Sequence, residues 1–269
     1  MRIFFVNRRN IHFLYWLIAV YALWEAAAWG IRNVLPVSQP GTKWPYISHV
    51  IPFIIHNLPQ LLQQGGVTFL NAVTGFFAGS LVGLALAVIM SLSKTIERTI
   101  TPYIVSSQMV PIIGLAPIIF GILHNADLSR ITMAAYVTFF PVTINSLAGL
   151  SSVRQEHKEL LSSYACPTWK YYWKLALPSS LPQFFLGLKL SAPLSITASI
   201  VVELMGAPNG IGVLMVSSLY YGTAQSDMFW ATVFFSAVIG LAAFLLISVI
   251  ERLVTPWQPE FRERGGRQA

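Results

Sequence analysis

The sequence predicts an all-α integral membrane protein with six transmembrane helices. Its 269 residues are 55% hydrophobic and only 10% charged, whereas soluble proteins carry about 25% charged residues. The apolar residues fall into six long runs separated by polar links. About 20 consecutive apolar residues are what an α-helix needs to cross a bilayer.

The net charge and the cysteine content bear on two questions: whether nucleic acid is a partner, and whether the chain holds a disulfide. The net charge of +7 does not by itself indicate nucleic acid, because basic residues in membrane proteins usually set the topology. No nucleic-acid partner is therefore expected. Cys166 is the only cysteine in the sequence, which excludes an intramolecular disulfide.

The N-terminal quarter is predicted to hold one span and one surface helix. Residues 1–10 form a cytoplasmic N-terminus and residues 11–31 the first span. This run is too long for a cleaved signal peptide, and no clear small-x-small cleavage site follows it. Residues 32–66 form an extracytoplasmic connection. Within it, Ile51–Leu62 is apolar but too short to cross the membrane, and we predict an interfacial helix.

Residues 67–250 are predicted to form a core of five spans. The first of these, Val67–Leu92, carries three glycines at intervals of four: Gly75, Gly79 and Gly83. Glycines at this spacing leave a flat helix face that another helix can approach closely. We interpret them as packing residues, within one protomer or between two; a substrate groove is the alternative.

The next predicted span, Pro102–Leu123, has three interruptions: Pro111, Gly114 and Pro117. Interruptions free backbone groups that need a partner or a watery cavity, and broken helices in transporters often line the path. A kink that serves packing is an equal alternative. Three polar residues are predicted to line a translocation path: Asn71, Gln108 and His124.

The remaining spans are predicted over Ile131–Leu150, Gln183–Met205 and Met228–Ile250, followed by a cytoplasmic tail at 251–269. Lys189 and Glu203 both lie in the span before last, about 21 Å apart along a helix, so they cannot pair with each other. Structural roles are favoured for both.

The link Arg154–Pro182 is the most heavily charged of the connections. Its pattern predicts a short helix over Gln155–Tyr164 with one apolar face, which Pro167 brings to an end. Thr168 is positioned to cap a second helix. Two prolines are predicted to end that helix: Pro178 and Pro182.

Within this link, Glu159-Leu160-Leu161, then Ala165, then Leu175-Ala176-Leu177-Pro178 resembles the "EAA loop" of ABC importer permeases. The family pattern is Glu-Ala-Ala, three residues, Gly, nine residues, Ile-x-Leu-Pro. Here Leu160-Leu161 replaces Ala-Ala, and Ala165 replaces the Gly that would permit a positive φ. An Ala with positive φ costs about 1 kcal/mol, so we expect this turn to be strained or built differently.

The resemblance covers roughly residues 35–260 and is to the nitrate/sulfonate/taurine branch of these permeases. It rests on runs such as VPIIGLAPIIF, FFPVTINSLAGLSSV and GLKLSAPLSITASIVVELMG. Where the branch usually has Trp-Phe-Gly, this chain has Ile122-Leu123-His124. The resemblance implies a second copy of the chain, two cytoplasmic ABC ATPase subunits that bind ATP and Mg, and an extracytoplasmic substrate-binding protein.

The distribution of Lys and Arg predicts the orientation. Six spans place both termini on one side, and thirteen of the basic residues fall on that side against three on the other. Basic loops stay in the cytoplasm. Both termini and the link 154–182 are therefore expected in the cytoplasm of a bacterial cell with this chain in its inner membrane.

The sequence carries no pattern for chemistry of its own. It contains no Walker-type phosphate loop, no His pair at zinc-ligand spacing and no G-x-S-x-G. We expect a permease that is not an enzyme and holds no metal or cofactor. The alternative is a self-sufficient channel or secondary carrier, although no repeated acidic or His pattern for a proton relay lies in a span.

Overall fold

The computed structural model describes residues 8–33, 44–220 and 226–258. Most of the predicted cytoplasmic N-terminus (1–10), part of the connection 32–66 and the tail beyond residue 258 lie outside the described residues.

All regular structure in the described residues is helical. In chain order the α-helices are α1 (Arg8–Asn33), α2 (Ile47–His56), α3 (Leu58–Ser91), α4 (Lys94–Ser107), α5 (Ile112–Leu123), α6 (Ala126–Ser151), α7 (Gln155–Ser163), α8 (Thr168–Tyr171), α9 (Leu177–Glu203), α10 (Ile211–Tyr220) and α11 (Ser226–Val254). A single π-helical turn, Tyr172–Ala176, joins α8 to α9.

Four helical segments of the described chain are long and apolar enough to cross a membrane: Leu58–Ser91, Ala126–Ser151, Thr168–Glu203 and Ser226–Val254. Helices α4 and α5 form a fifth candidate as a pair, bent by 91° at the break between them. Helix α1 has 26 residues but is not among these segments.

The predicted interfacial helix Ile51–Leu62 has the wrong boundaries. The short helix is α2, and it ends at Asn57, whose side-chain amide donates to the carbonyl of Phe53 at 3.0 Å. Leu58 already begins α3. Pro59 lies in the first turn of α3, where a missing N–H is tolerated. Helix α3 therefore has 34 residues and is longer than the predicted span.

Only one of the three predicted interruptions of the next span coincides with a break. Pro111 is the N-cap of α5, and a residue before proline avoids the helical region. Gly114 and Pro117 lie inside α5, which continues through both.

The prediction that Pro178 and Pro182 end the second helix of the charged link is wrong. The helix runs on through both prolines, so Thr168–Glu203 is one segment of 36 residues. In the π turn, the N–H of Leu177 bonds to the carbonyl of Tyr172, five residues back. This wider turn shifts the hydrogen-bond register by one residue just before Pro178, which has no N–H to donate.

The larger of two compact units comprises Gln63–Val213 and the residues from Ser236 onward. Helices α6 and α9 share an extensive contact in it. One apolar cluster of the core combines residues of α3, α6, α9 and α11, among them Phe76, Val142, Phe185, Ile196 and Ile247.

The smaller unit comprises the described residues up to Leu62 together with the described residues of Leu214–Phe235. Trp24 stacks on Trp44 with ring centroids 4.4 Å apart, and its indole N–H donates to the carbonyl of Pro45 at 2.9 Å. Glu25 accepts a hydrogen bond at 3.0 Å from the backbone N–H of Ser48 in the first turn of α2. A carboxylate is favourable at a helix N-terminus.

Candidate functional site

Helix α7 is the first element of the charged link. It begins after Arg154, whose guanidinium pairs with Glu156 at 2.8 Å. It ends in a Schellman motif: the N–H of Ala165 bonds to the carbonyl of Ser162 at 2.9 Å, and the N–H of Cys166 bonds to that of Leu161 at 3.1 Å. Ala165 has a φ of 48°. The turn therefore has the backbone conformation of a glycine turn, adopted by an alanine.

The outer surface of the link is apolar as well as charged. Four large side chains of α7, its cap, α8 and the π turn are between 56% and 76% exposed: Leu160, Tyr164, Trp169 and Trp173. Glu159 is exposed beside them, with one carboxylate oxygen 3.0 Å from the amide of Gln155. An exposed apolar patch rimmed by polar groups is typical of an interaction surface.

The C-terminal part of the link is packed instead of exposed. Ala176 is buried with Met90 and Leu150, and Leu175 and Leu177 pack against this cluster. The hydroxyls of Tyr172 and Ser91 lie 2.9 Å apart, which ties the π turn to the end of α3. The residues predicted from the motif thus form two groups: Glu159, Leu160 and Leu161 lie on α7, and Leu175, Leu177 and Pro178 lie where the link joins the core.

The three glycines of α3 face α6. A Cβ on Gly75 would lie 2.6 Å from the Cβ of Ala134, and one on Gly83 would lie 2.7 Å from the carbonyl oxygen of Phe139. Both distances are far below van der Waals contact, so α3 and α6 touch backbone to backbone along this face.

The break between α4 and α5 borders a cavity of about 110 Å³. Gln108 lies in the break and lines this cavity with residues of α6 and α9, among them Tyr136 and Leu194. The carbonyl of Ser107, which the break leaves without a helical partner, accepts a hydrogen bond from the hydroxyl of Tyr136.

The other two residues predicted to line a path are not at this cavity. Asn71 donates to Asp127 at 3.1 Å. His124 is exposed at the end of α5, with a φ of 49°. The structure brings Asn71 close to the start of α6 and leaves Gln108 at the break, so the three predicted residues do not form one site.

A buried charge cluster was not predicted from the sequence. Arg130 of α6 and Glu203 at the end of α9 are both fully buried, with Nε and Oε1 3.3 Å apart. The Arg130 guanidinium also donates to Asp127 at 2.6 Å and to the side-chain oxygen of Asn209 at 3.0 Å. The sequence shows one charged residue at the boundary of each of two predicted spans. Only the packing of the helices shows that these two side chains meet.

The carboxylate of Glu203 is further held by two groups that belong to other helices. The hydroxyl of Thr68 on α3 donates to Oε1 at 2.8 Å, and the N–H of Gly212 in the first turn of α10 donates to Oε2 at 2.8 Å. Gln64 accepts from the N–H of Gly210 at 2.7 Å. Buried charges require such compensation.

Lys189, the second charge in this span, pairs with Glu251 of α11 at 2.7 Å. The helix that carries the link thus has one ion pair to α11 and another to α6. Among the described residues, no group of three His, Cys, Asp or Glu side chains is arranged to hold a metal ion.

Several long apolar helices with their charges paired in the interior define a polytopic α-helical membrane protein. Over residues 66–256 the chain matches the family described as the binding-protein-dependent transport system inner membrane component. Since this match spans most of the chain, the protein belongs to that family.

The relatives and structural neighbours agree with this assignment. The chain is 29% identical over 189 residues to the formylaminopyrimidine transport permease protein ThiX of Halalkalibacterium halodurans, covering 68% of this chain and 73% of that one. It is 28% identical over 206 residues to the taurine transport system permease protein TauC of Escherichia coli, covering 74% and 72%.

A solved amino acid ABC transporter with histidines superposes with a TM-score of 0.61 at 18% identity, covering 74% of this chain and 96% of that one. The protein is a membrane-spanning permease of an ABC importer.

Proposed function

We propose that this permease forms the solute path as a dimer of two copies, docks two cytoplasmic ATPase subunits and receives solute from an extracytoplasmic binding protein. The exposed apolar patch of the link, formed by Leu160, Tyr164, Trp169 and Trp173, is the observation that carries the proposal. ATP and Mg bind on the ATPase subunits and no cofactor binds on this chain.

The solute is a small organic molecule or a small anion. Two relatives are named for formylaminopyrimidine and taurine transport, and both compounds are small and polar. The 110 Å³ cavity beside Gln108 is a space of the size of such a solute's polar head. We place this cavity in the translocation path. Asn71 and His124 lie away from the cavity, and we place them nearer the outer end of the path.

The membrane topology has six spans: α1, α3, the bent pair α4 and α5, α6, the Thr168–Glu203 segment and α11. Helix α2 lies at the interface, and both termini face the cytoplasm of the inner membrane. The excess of Lys and Arg in the loops on the side of the termini supports this orientation.

Helix α7 occupies a groove of the ATPase and moves with it. Glu159, Leu160 and Leu161 make the contact, Ala165 holds the turn, and Leu175, Leu177 and Pro178 join the moving link to the core. An ATPase that binds the two permease states with different affinity shifts their populations by that difference.

The test is the Glu159→Lys variant in the complex purified from its host. It reverses the charge of an exposed side chain, so we expect normal membrane insertion with loss of solute-stimulated ATP hydrolysis and of ATP-driven uptake. The control is Glu97→Lys, the same charge reversal on α4, where the carboxylate pairs with Lys94 at 2.8 Å. Normal uptake in the Glu159→Lys variant would refute the role of α7.

The alternative is a carrier or channel that works without an ATPase. The two functions differ in one experiment: the purified chain alone in liposomes, with a solute gradient and no ATP. Uptake under these conditions would support the alternative, and a particle holding two copies of this chain and two of a P-loop ATPase would refute it.

A further inference from the structure

The link on the cytoplasmic side and the buried charge cluster are the two ends of one helical segment. Thr168–Glu203 has 36 residues and is about 54 Å long at 1.5 Å per residue. Thr168 follows the turn of α7, and Glu203 is the last residue of α9. A displacement of the link can therefore reach Glu203 along one unbroken helical segment, although its prolines omit single backbone hydrogen bonds.

Glu203 is also the point where this segment holds the next element. Its carboxylate accepts from the N–H of Gly212 at the start of α10 and from the hydroxyl of Thr68, which in turn accepts from the N–H of Ile211 at 3.0 Å. The N-terminus of α10 is thus capped by the end of α9.

The loop between α9 and α10 is fixed from the other side by Arg130. Its guanidinium donates to both the backbone carbonyl and the side-chain oxygen of Asn209. Pro208 and Asn209 are exposed on this loop, whereas Gly210 is buried, with a φ of 119°. A Cβ at residue 210 would overlap the carboxylate of Glu203, so the loop and the carboxylate fit only in this arrangement.

A buried ion pair is a poor source of stability, because desolvation offsets most of the attraction. Its best-attested use is to fix one arrangement against others. Here the pair joins α6, α9 and the loop before α10, which are the parts that must keep or change their positions together.

We propose that Glu203 is a positioning residue that transmits the movement of the cytoplasmic link to the extracytoplasmic loop 206–210 and the start of α10. The proposal rests on the function proposed above, because the movement originates at the ATPase. Arg130 and Thr68 complete the connection, and none of the three side chains is required to touch the solute.

The experiment follows a reporter on the loop in the complete complex. Pro208→Cys is placed in a Cys166→Ser chain, so that it is the only permease thiol. Its labelling rate by a membrane-impermeant maleimide is compared without nucleotide and after trapping with ATP and vanadate. We expect the two rates to differ by about fivefold or more, the lower end of usual coupling between sites.

Glu203→Ala is expected to reduce this ratio to below about twofold, which is less than the usual coupling between two sites. Glu203→Gln, which keeps the acceptor for Gly212, is expected to retain part of it. Glu97→Gln removes a carboxylate from the other end of the core and is expected to leave the ratio unchanged. A purely structural role of Glu203 would lower the yield of complex but not the ratio in complexes that assemble.

If Glu203→Ala does not assemble, Thr68→Val tests the same contact without removing a charge, and a smaller ratio is expected. A ratio near one in the parent, or a parental ratio in Glu203→Ala or Thr68→Val, would overturn the proposal. ATP-dependent protection of Cys166 is measured separately, in complexes of the chain without the Cys166→Ser and Pro208→Cys changes. If it occurs while the loop does not respond, only this inference fails; if no ATPase is present, the proposed function fails with it.

Discussion

Ala165 and His124 share one backbone conformation, with φ of 48° and 49°, and among the described residues no other non-glycine has a positive φ. Both stand where the resembled permease family has glycine. Each follows a helix, α7 and α5 respectively, and turns the chain toward the next one. The turn geometry is therefore kept although the glycine is not.

The first prediction is that Ala165→Gly stabilises the protein. Removing the Cβ relieves about 1 kcal/mol of left-handed strain, which corresponds to a rise of about 2–4 °C in the unfolding midpoint of a chain of this size. Thermal unfolding of the detergent-purified permease measures it. Ala87→Gly, inside α3, is the control and is expected to lower the midpoint.

His124→Gly is expected to raise the midpoint by less, because His adopts the left-handed region more readily than Ala. A lower midpoint for Ala165→Gly would contradict the strain argument.

The second prediction concerns the close approach of α3 and α6. A Cβ on Gly79 would lie 2.9 Å from both the Cα of Ala135 and the Cβ of Thr138, so Gly79→Ala must push the helices apart. Overpacking of this kind costs about 1–3 kcal/mol. Gly121→Ala, where nothing lies within 4 Å, is the matched control. Equal unfolding midpoints for the two variants would show that the contact is not tight.

The third prediction concerns Lys189 and Glu251, whose side chains are 21% and 6% exposed. Glu251→Gln leaves the Lys189 ammonium without its partner and is expected to destabilise the permease by about 1–3 kcal/mol. The double variant Lys189→Met with Glu251→Leu is expected to recover most of this loss, since two apolar groups replace a buried pair without penalty.

The comparison pair is Lys94 and Glu97, whose side chains are 76% and 27% exposed. Lys94→Met is expected to change stability by less than about 1 kcal/mol. If the double variant of Lys189 and Glu251 is no more stable than Glu251→Gln, the pair contributes more to stability than compensation of its two charges.

The fourth prediction concerns the break beside the cavity. Tyr136→Phe removes the hydroxyl that donates to the carbonyl of Ser107, and an unsatisfied acceptor costs about 1–3 kcal/mol. We expect ATP-driven uptake to fall by about fivefold or more, with the amount of assembled complex unchanged. Tyr103→Phe, at an exposed tyrosine of α4, is the control. If Tyr136→Phe supports uptake at the parental rate, this hydrogen bond has no role in the transport cycle.

Much of the fold follows from local patterns. Apolar runs of about 20 residues, with prolines and polar links between them, predicted an all-helical membrane protein and the positions of most long helices. The helix over Gln155–Tyr164 was also predicted closely, because its apolar spacing and the following Pro167 are local signals. The boundaries that failed, at Ile51–Leu62 and at Pro178, depend on how one turn adapts to a proline.

The residues of the candidate site also fall into those that local patterns predicted and those that they did not. The link motif, from Glu159 to Pro178, is contiguous in the chain, and its resemblance to the family motif, together with the other matching runs, indicated a permease. The partners of Lys189 and Glu203 were not predictable, since each pairs with a residue on a different helix.

The class of protein, its helices and the motif of its charged link follow from local patterns, because hydrophobicity and helical period act over neighbouring residues. The meeting of Arg130, Glu203 and Thr68 depends on how the helices pack, because a buried charge is compensated by whichever helix lies beside it.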